Sequence, residues 1–138
     1  MIHKTNAARL LDKLKIEYEI LEYEVDLNDL SAVHVAASTK QDIKQIYKTI
    51  VCQCEPKNFV VVCLQGDLEL DLKALAHACG AKRCELINLK DLEKITGYIR
   101  GGCSPLAMKK HFATFIDERA KEQEYVLVSA GVRGKQIK

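Results

Sequence analysis

Apolar residues recur at Ala7, Leu10, Leu11 and Leu14, the three- and four-residue spacing of a helix with one buried stripe. The spacing predicts a helix over residues 5–15, capped by Thr5 or Asn6. From Ile16 the period falls to two: Ile16, Tyr18 and Ile20, then after a one-residue slip Leu21, Tyr23 and Val25. That pattern predicts a half-buried strand over 16–25 with a bulge at the slip. Residues 26–29 form a polar break. Ser31 then caps a short helix through Ala37, and 41–46 carries a second helical piece. The β-rich runs 47–54 and 59–64 are joined by Glu55-Pro56-Lys57-Asn58, with proline at the second turn position, and predict a hairpin. Gln65-Gly66-Asp67 is a further turn. Asp71 caps a helix over 72–79 that stops at Gly80. A short strand over 84–87, a short helix over 89–95 and strands over 112–116 and 125–129 complete the pattern. Hairpins mixed with helices, without regular βαβ alternation, predict an α+β fold with a mixed sheet.

A chain of 138 residues, 48% apolar and 29% charged, fits one soluble globular domain over 1–138. The longest apolar run, 59–64, is too short to span a bilayer, which excludes a membrane helix. The N-terminus has no apolar signal-peptide core, so a cytoplasmic location is expected. The six cysteines include no C-x-x-C pair and have no histidine at ligand spacing. They are expected to be reduced, mostly buried thiols, with Cys52 and Cys54 on one face of a strand and no metal site. A net charge of +2 does not by itself argue for nucleic acid. Basic residues at Lys82-Arg83, at Lys109-Lys110-His111 and at Arg133, Lys135 and Lys138 nevertheless permit a few phosphate contacts.

The densest chemical signal is 96–110, TGYIRGGCSPLAMKK. Gly97, Gly101 and Gly102 describe a backbone that turns sharply, Pro105 fixes the exit, and Ser104 before it is pushed to an extended conformation. Adjacent amides at Gly101 and Gly102 offer a concave donor site for an oxyanion or a ribose hydroxyl. No Ser-His or Cys-His arrangement, Walker loop or dinucleotide fingerprint accompanies it. Lys48 also stands out, as a cation at the start of an apolar strand.

The 96–110 segment resembles the signature TGYxxGGxSPLGxKK of the YbaK/EbsC family, single-domain aminoacyl-tRNA deacylases. The resemblance continues through Thr114, Ile116, Asp117-Glu118 and Ala120, and recurs in order at Tyr47-Lys48-Thr49, Leu70-Asp71-Leu72-Lys73, Ser129-Ala130-Gly131, Arg133-Gly134 and Ile137. It implies a mixed, barrel-like sheet flanked by short helices, the fold of editing domains associated with prolyl-tRNA synthetase. It implies deacylation of mischarged tRNA, above all Cys-tRNA(Pro), with prolyl-tRNA synthetase as a partner and without a cofactor. Related deacylases prefer Ala-tRNA(Pro). On this resemblance Lys48 is the catalytic cation, and Gly101 and Gly102 face the substrate through their main chain. Tyr23 matches a pocket tyrosine, and Thr49, Ser104, Pro105 and Gln136 complete the substrate-binding set.

With no protein nucleophile in view, the side-chain sulfur of a cysteinyl ester is the expected attacking group, in agreement with the substrate-assisted step the family implies. The chain departs from the family pattern at Ala107, where glycine is usual, at Cys103, where isoleucine or valine is usual, and at Phe112-Ala113, where Leu-Pro is usual. It also departs at Gln136, where some members carry aspartate. These departures leave two rivals: a non-catalytic nucleotide- or RNA-binding module of the same fold, and a thiol enzyme using Cys103.

Overall fold

In the computed structural model, residues 4–55, 58–110 and 112–138 are described. The hairpin turn expected at Pro56 and Lys57, and the basic residue His111, lie outside them. The molecule is built around β2 (Tyr47–Cys54) and β3 (Asn58–Gln65), eight β-prone residues each. They pair antiparallel from Tyr47↔Gln65 to Cys54↔Asn58, which is the expected hairpin. β4 (Cys84–Leu86) runs antiparallel beside the end of β2, and β5 (Ala113–Ile116) runs parallel to β3. The sheet order is therefore β4-β2-β3-β5, and the sheet is mixed.

Both faces of this sheet are covered, because β3 is apolar at successive positions rather than alternate ones. On one face α3 (Leu72–Cys79) packs Leu75 and Ala76 against Cys52, Val60 and Val62. On the other, α4 (Leu92–Thr96) and the loop after it pack Leu92 and Cys103 against Val51 and Val61.

A second sheet, order β1-β7-β6, is formed by β1 (Ile20–Glu22), β7 (Lys135–Ile137) and β6 (Val128–Ser129), all antiparallel. Helix α1 (Asn6–Lys13), capped by the Thr5 hydroxyl on Ala8 N–H, packs Ala7 and Leu11 against Ala130 and Ile137. Helix α2 (Ala32–Thr39), capped by Ser31, packs Val35 and Ala36 on Ile46 and Leu127. The two sheets meet at one parallel bridge, Ile46↔Leu127. There Tyr47 N–H donates to Leu127 O at 2.9 Å and Leu127 N–H to Gln45 O at 2.7 Å. The fold is α+β as expected, but two sheets joined at a single bridge make the barrel an open one.

Other differences have local causes. The strand expected over 16–25 shortens to β1 because its partner β7 is only three residues long; beyond it the pairing continues through Tyr23 N–H, donating to Gly134 O at 2.9 Å, and through the reciprocal Glu19–Lys138 bonds at 3.2 and 2.8 Å. The helix expected over 41–46 is a single 3-10 turn, Ile43–Gln45, capped by Asp42. β6 is shorter than 125–129 for the same reason as β1. The reduced-cysteine expectation is corrected for one pair: Cys54 and Cys84 face each other across β2 and β4 and are disulfide-bonded. Cys52, Cys63, Cys79 and Cys103 are free.

Candidate active site

The glycine loop leaves α4 through Gly97, whose φ of +85° is a left-handed helix stop. The Thr96 hydroxyl donates to Leu92 O at 2.9 Å and accepts Tyr98 N–H at 3.0 Å. Tyr98 OH reaches across the loop to donate to Leu106 O at 2.6 Å. Ser104, fully buried, accepts Leu106 N–H on its hydroxyl at 3.2 Å, and Lys109 N–H returns to Thr96 O at 2.9 Å. These bonds satisfy polar groups that burial would otherwise strand, and they hold the loop in one conformation.

Gly101 sits at the tip with φ +84°. A Cβ there would lie 3.3 Å from Leu30 Cδ2 and 3.4 Å from the Arg133 side chain, so both space and backbone require glycine. At Gly102 a Cβ would meet the Val132 and Arg133 backbone at 3.2 Å, a close chain-to-chain approach. Arg133 clasps the tip from the other side, its Nε donating to Arg100 O at 2.7 Å.

Under this tip lies a cavity of about 120 Å³. Leu30, Val35 and Ile46 supply an apolar wall, and Tyr47, Lys48 and Thr49 line it from the start of β2. Gly101 and Cys103 come from the loop, and Ser129 and Gln136 from facing positions in β6 and β7. The volume corresponds to about four waters at ~30 Å³ each, room for a small side chain but not for a nucleoside.

Tyr47 OH and Thr49 Oγ1 are buried without a hydrogen-bond partner among the described residues. Across the ladder from Thr49 is Cys63, whose thiol burial pushes up to about 11 against a smaller downward pull from the Thr49 hydroxyl. Leaving such a group unpaired costs about 1–3 kcal/mol, so the Thr49 hydroxyl points to a polar occupant of the cavity; the Tyr47 hydroxyl lies instead in the field of Asp117, Arg119 and Glu122, which do not line it. Gly101 N–H has no acceptor among the described residues. Gln136 is 5% exposed, and the Ser129 hydroxyl, already accepting Gly131 N–H at 3.1 Å, keeps its own proton to donate.

Lys48, Thr49, Gly101 and Gln136 are thus brought together as the sequence reading expected. Four other expected residues do not line the cavity. Gly102 N–H is spent inside the turn, donating to Ile99 O at 2.9 Å, so only Gly101 of the pair offers a free amide. Ser104 is consumed by the loop's own bonding, and Pro105 follows it away from the cavity. Tyr23 packs behind α2, edge-on to His34 with ring centroids 6.4 Å apart. Conversely Tyr47, Cys103 and Ser129 line the cavity without having been singled out as substrate contacts. For Tyr47 and Ser129 the available signal was membership in the motif blocks Tyr47-Lys48-Thr49 and Ser129-Ala130-Gly131.

Cys103 has the position of a nucleophile but not the ionisation. Burial pushes its thiol up to about 11, against a smaller downward pull from the Thr96 hydroxyl. A thiol held neutral there is a poor nucleophile near neutral pH, which disfavours the thiol-enzyme rival.

A family model described as an aminoacyl-tRNA editing domain matches residues 28–138. The chain is 46% identical over 134 residues to a protein of Enterococcus faecalis named "Putative Cys-tRNA(Pro)/Cys-tRNA(Cys) deacylase EbsC", covering 97% of this chain and 82% of that one. A proline–tRNA ligase of Brachyspira hyodysenteriae is 28% identical over 112 residues, 81% of this chain but 18% of the ligase. Among solved structures, a hypothetical protein superimposes with a TM-score of 0.87 at 16% identity, covering 96% of this chain and 87% of the other. A "putative trans-editing enzyme for prolyl tRNA synthetase" superimposes with a TM-score of 0.79 at 18% identity, covering 99% and 87%. At such identities these two likenesses concern the fold alone.

Proposed function

Because the chain belongs to the aminoacyl-tRNA editing domain family, we propose that it is an editing enzyme that removes cysteine from mischarged Cys-tRNA(Pro), with prolyl-tRNA synthetase as its partner. The observation that carries the substrate size is the cavity: about 120 Å³, with one apolar wall and the buried Thr49 hydroxyl awaiting a partner. It accommodates a cysteinyl or alanyl side chain and leaves the terminal ribose and adenine at the mouth. The Arg133 side chain flanks that mouth against the loop tip.

In the reaction, the substrate's own sulfur attacks its carbonyl carbon. The S–C bond forms, the ester C–O bond breaks, and the electron pair leaves on the ribose oxygen, which takes up the proton released by the thiol. The product is a strained four-membered thiolactone that water opens afterwards. Tethering supplies the attacking group at an effective molarity that ring strain holds below the ~10⁵ M or more of unstrained cases. The protein's contribution is orientation and charge. Gly101 N–H donates to the developing oxyanion, the Lys48 cation stabilises negative charge as it forms, and Thr49, Ser129 and Gln136 hold the aminoacyl group in place.

A panel of Cys-, Ala-, Ser- and Pro-charged tRNAs tested with the purified protein decides the assignment. Rapid loss of Cys-tRNA(Pro) with Pro-tRNA(Pro) spared is expected. Binding of all four without cleavage would favour the non-catalytic RNA-binding module, and faster cleavage of Ala-tRNA(Pro) would move the specificity to alanine.

A further inference from the structure

Four of the six cysteines converge far from the cavity, at the end of β2 opposite Lys48, six strand steps or roughly 20 Å away. Cys54 and Cys84 are joined in a disulfide and are 2% and 6% exposed. Cys79, on the last turn of α3, is half-buried, with its Sγ 3.7 Å from Cys84 Sγ. The sulfurs of Cys54, Cys79 and Cys84 all lie within 4.8 Å of one another. Cys79 opens on a cleft of about 680 Å³, bordered by Gly80, Ala81, Phe59 and Phe112. The fourth cysteine, Cys52, is fully buried beneath them, and burial pushes its thiol up to about 11, so it stays protonated.

Cys54 borders the same cleft but is only 2% exposed, whereas the half-buried Cys79 offers the readier approach and is in contact with Cys84. We propose that Cys79, Cys84 and Cys54 form a thiol–disulfide relay, in which Cys79 is the port where a low-molecular-weight thiol or disulfide such as glutathione reaches the buried pair.

In the oxidising direction the Cys79 thiolate attacks an external disulfide, forming a mixed disulfide and releasing one external thiolate. Cys84 then attacks the Cys79 sulfur, expelling the second external thiolate and forming Cys79–Cys84. Cys54 attacks the Cys84 sulfur, which forms Cys54–Cys84 and returns Cys79 as a thiol. Two protein thiols are oxidised, one external disulfide is reduced to two thiols, and the protons pass to the released thiolates. Reduction runs the same steps backwards, driven by excess external thiol. The two transfers within the protein are displacements at sulfur between atoms that lie within 4.8 Å of one another. In a reducing compartment, where disulfides persist poorly, such a port makes the pair responsive to the thiol pool rather than permanently closed.

The test uses the full chain with glutathione, followed by rapid alkylation and peptide mass mapping; trypsin separates Cys79 from Cys84 at Lys82 and Arg83. Cys79→Ser should slow both reduction and re-formation of the Cys54–Cys84 bond at least tenfold. Cys84→Ser should trap glutathione on Cys79. If Cys84→Ser fails to fold, a quenched time course on the unaltered protein should show Cys79 glutathionylated before the Cys54–Cys84 bond appears. Exchange in Cys79→Ser at the unaltered rate would overturn the relay, as would glutathione appearing on Cys54 first. Tight uptake of one zinc or copper(I) ion by the reduced chain, lost in Cys79→Ser and blocking oxidation, would also overturn it in favour of a thiolate metal site.

Discussion

Lys48 is half-buried at the cavity and has no carboxylate in ion-pair range among the described residues. A cation left unpaired beside a small polar cavity is available to a developing negative charge. Lys48→Ala should therefore lower deacylation by ~10²–10³ with the circular dichroism spectrum unchanged; near-normal turnover would remove Lys48 from the mechanism. Ala107 makes a different point. It stands where the family signature has glycine, and its φ is +55°, the left-handed region that a Cβ disfavours by about 1–2 kcal/mol. Ala107→Gly should relieve that strain, less the extra entropy that glycine loses on folding, for a net gain of roughly 1 kcal/mol or a rise in Tm of roughly 3–5 °C. Thermal unfolding of the two proteins side by side measures it.

The residue scale is also where the structure separates roles that one motif runs together. Thr96, Tyr98 and Ser104 belong to the same signature as Gly101, yet their hydroxyls are bonded within the loop, at Leu92 O, Leu106 O and Leu106 N–H. A motif records every residue a loop needs, whether to hold its shape or to meet a ligand, and only the bonding partners tell the two apart. Gly102 shows this most sharply: it is needed because the Val132–Arg133 backbone passes against it, with its own amide turned inward.

At the scale of elements, legibility followed length and capping. α3 was readable to the residue because Asp71 and Gly80 mark its ends. Asp71 Oδ1 accepts from Lys73 N–H and Ala74 N–H at 3.0 Å each, and Gly80 takes the left-handed stop with φ +70°. Asp71→Ala leaves both donors without that partner and should cost about 1 kcal/mol, seen as a fall in Tm of roughly 3–5 °C without loss of editing activity. β2 and β3 were readable because each carries eight residues of strand-forming sequence. The three-residue β7 was not, since Lys135-Gln136-Ile137 has too few positions for a period to show, and its place is set by pairing with β1 and β6. Gln136 reaches the cavity only through that pairing, so its position was legible by family resemblance and not by pattern. The Cys54–Cys84 bond was illegible for a similar reason: thirty residues separate the two cysteines, and only the β2–β4 register sets them opposite each other.

At the scale of the whole molecule, the two sheets and four helices among the described residues bring three distant segments to one small cavity: the start of β2, the glycine tip and the β6–β7 pair. The cavity has a cation, a free amide and hydroxyls. Among the described lining residues the strongest intrinsic nucleophile, the Cys103 sulfur, is held protonated by burial. In the proposed mechanism the attacking atom arrives with the substrate. The measurement that tests this most directly compares single-turnover deacylation of Cys-tRNA(Pro), Ser-tRNA(Pro) and S-methylcysteinyl-tRNA(Pro) by the same preparation. The account predicts rapid cleavage of the cysteinyl ester, much slower cleavage of the nearly isosteric but weakly nucleophilic seryl ester, and almost none of the S-methyl ester. Cleavage of the S-methyl ester at a rate close to that of the cysteinyl ester would contradict it, because water or a protein group would then be the nucleophile.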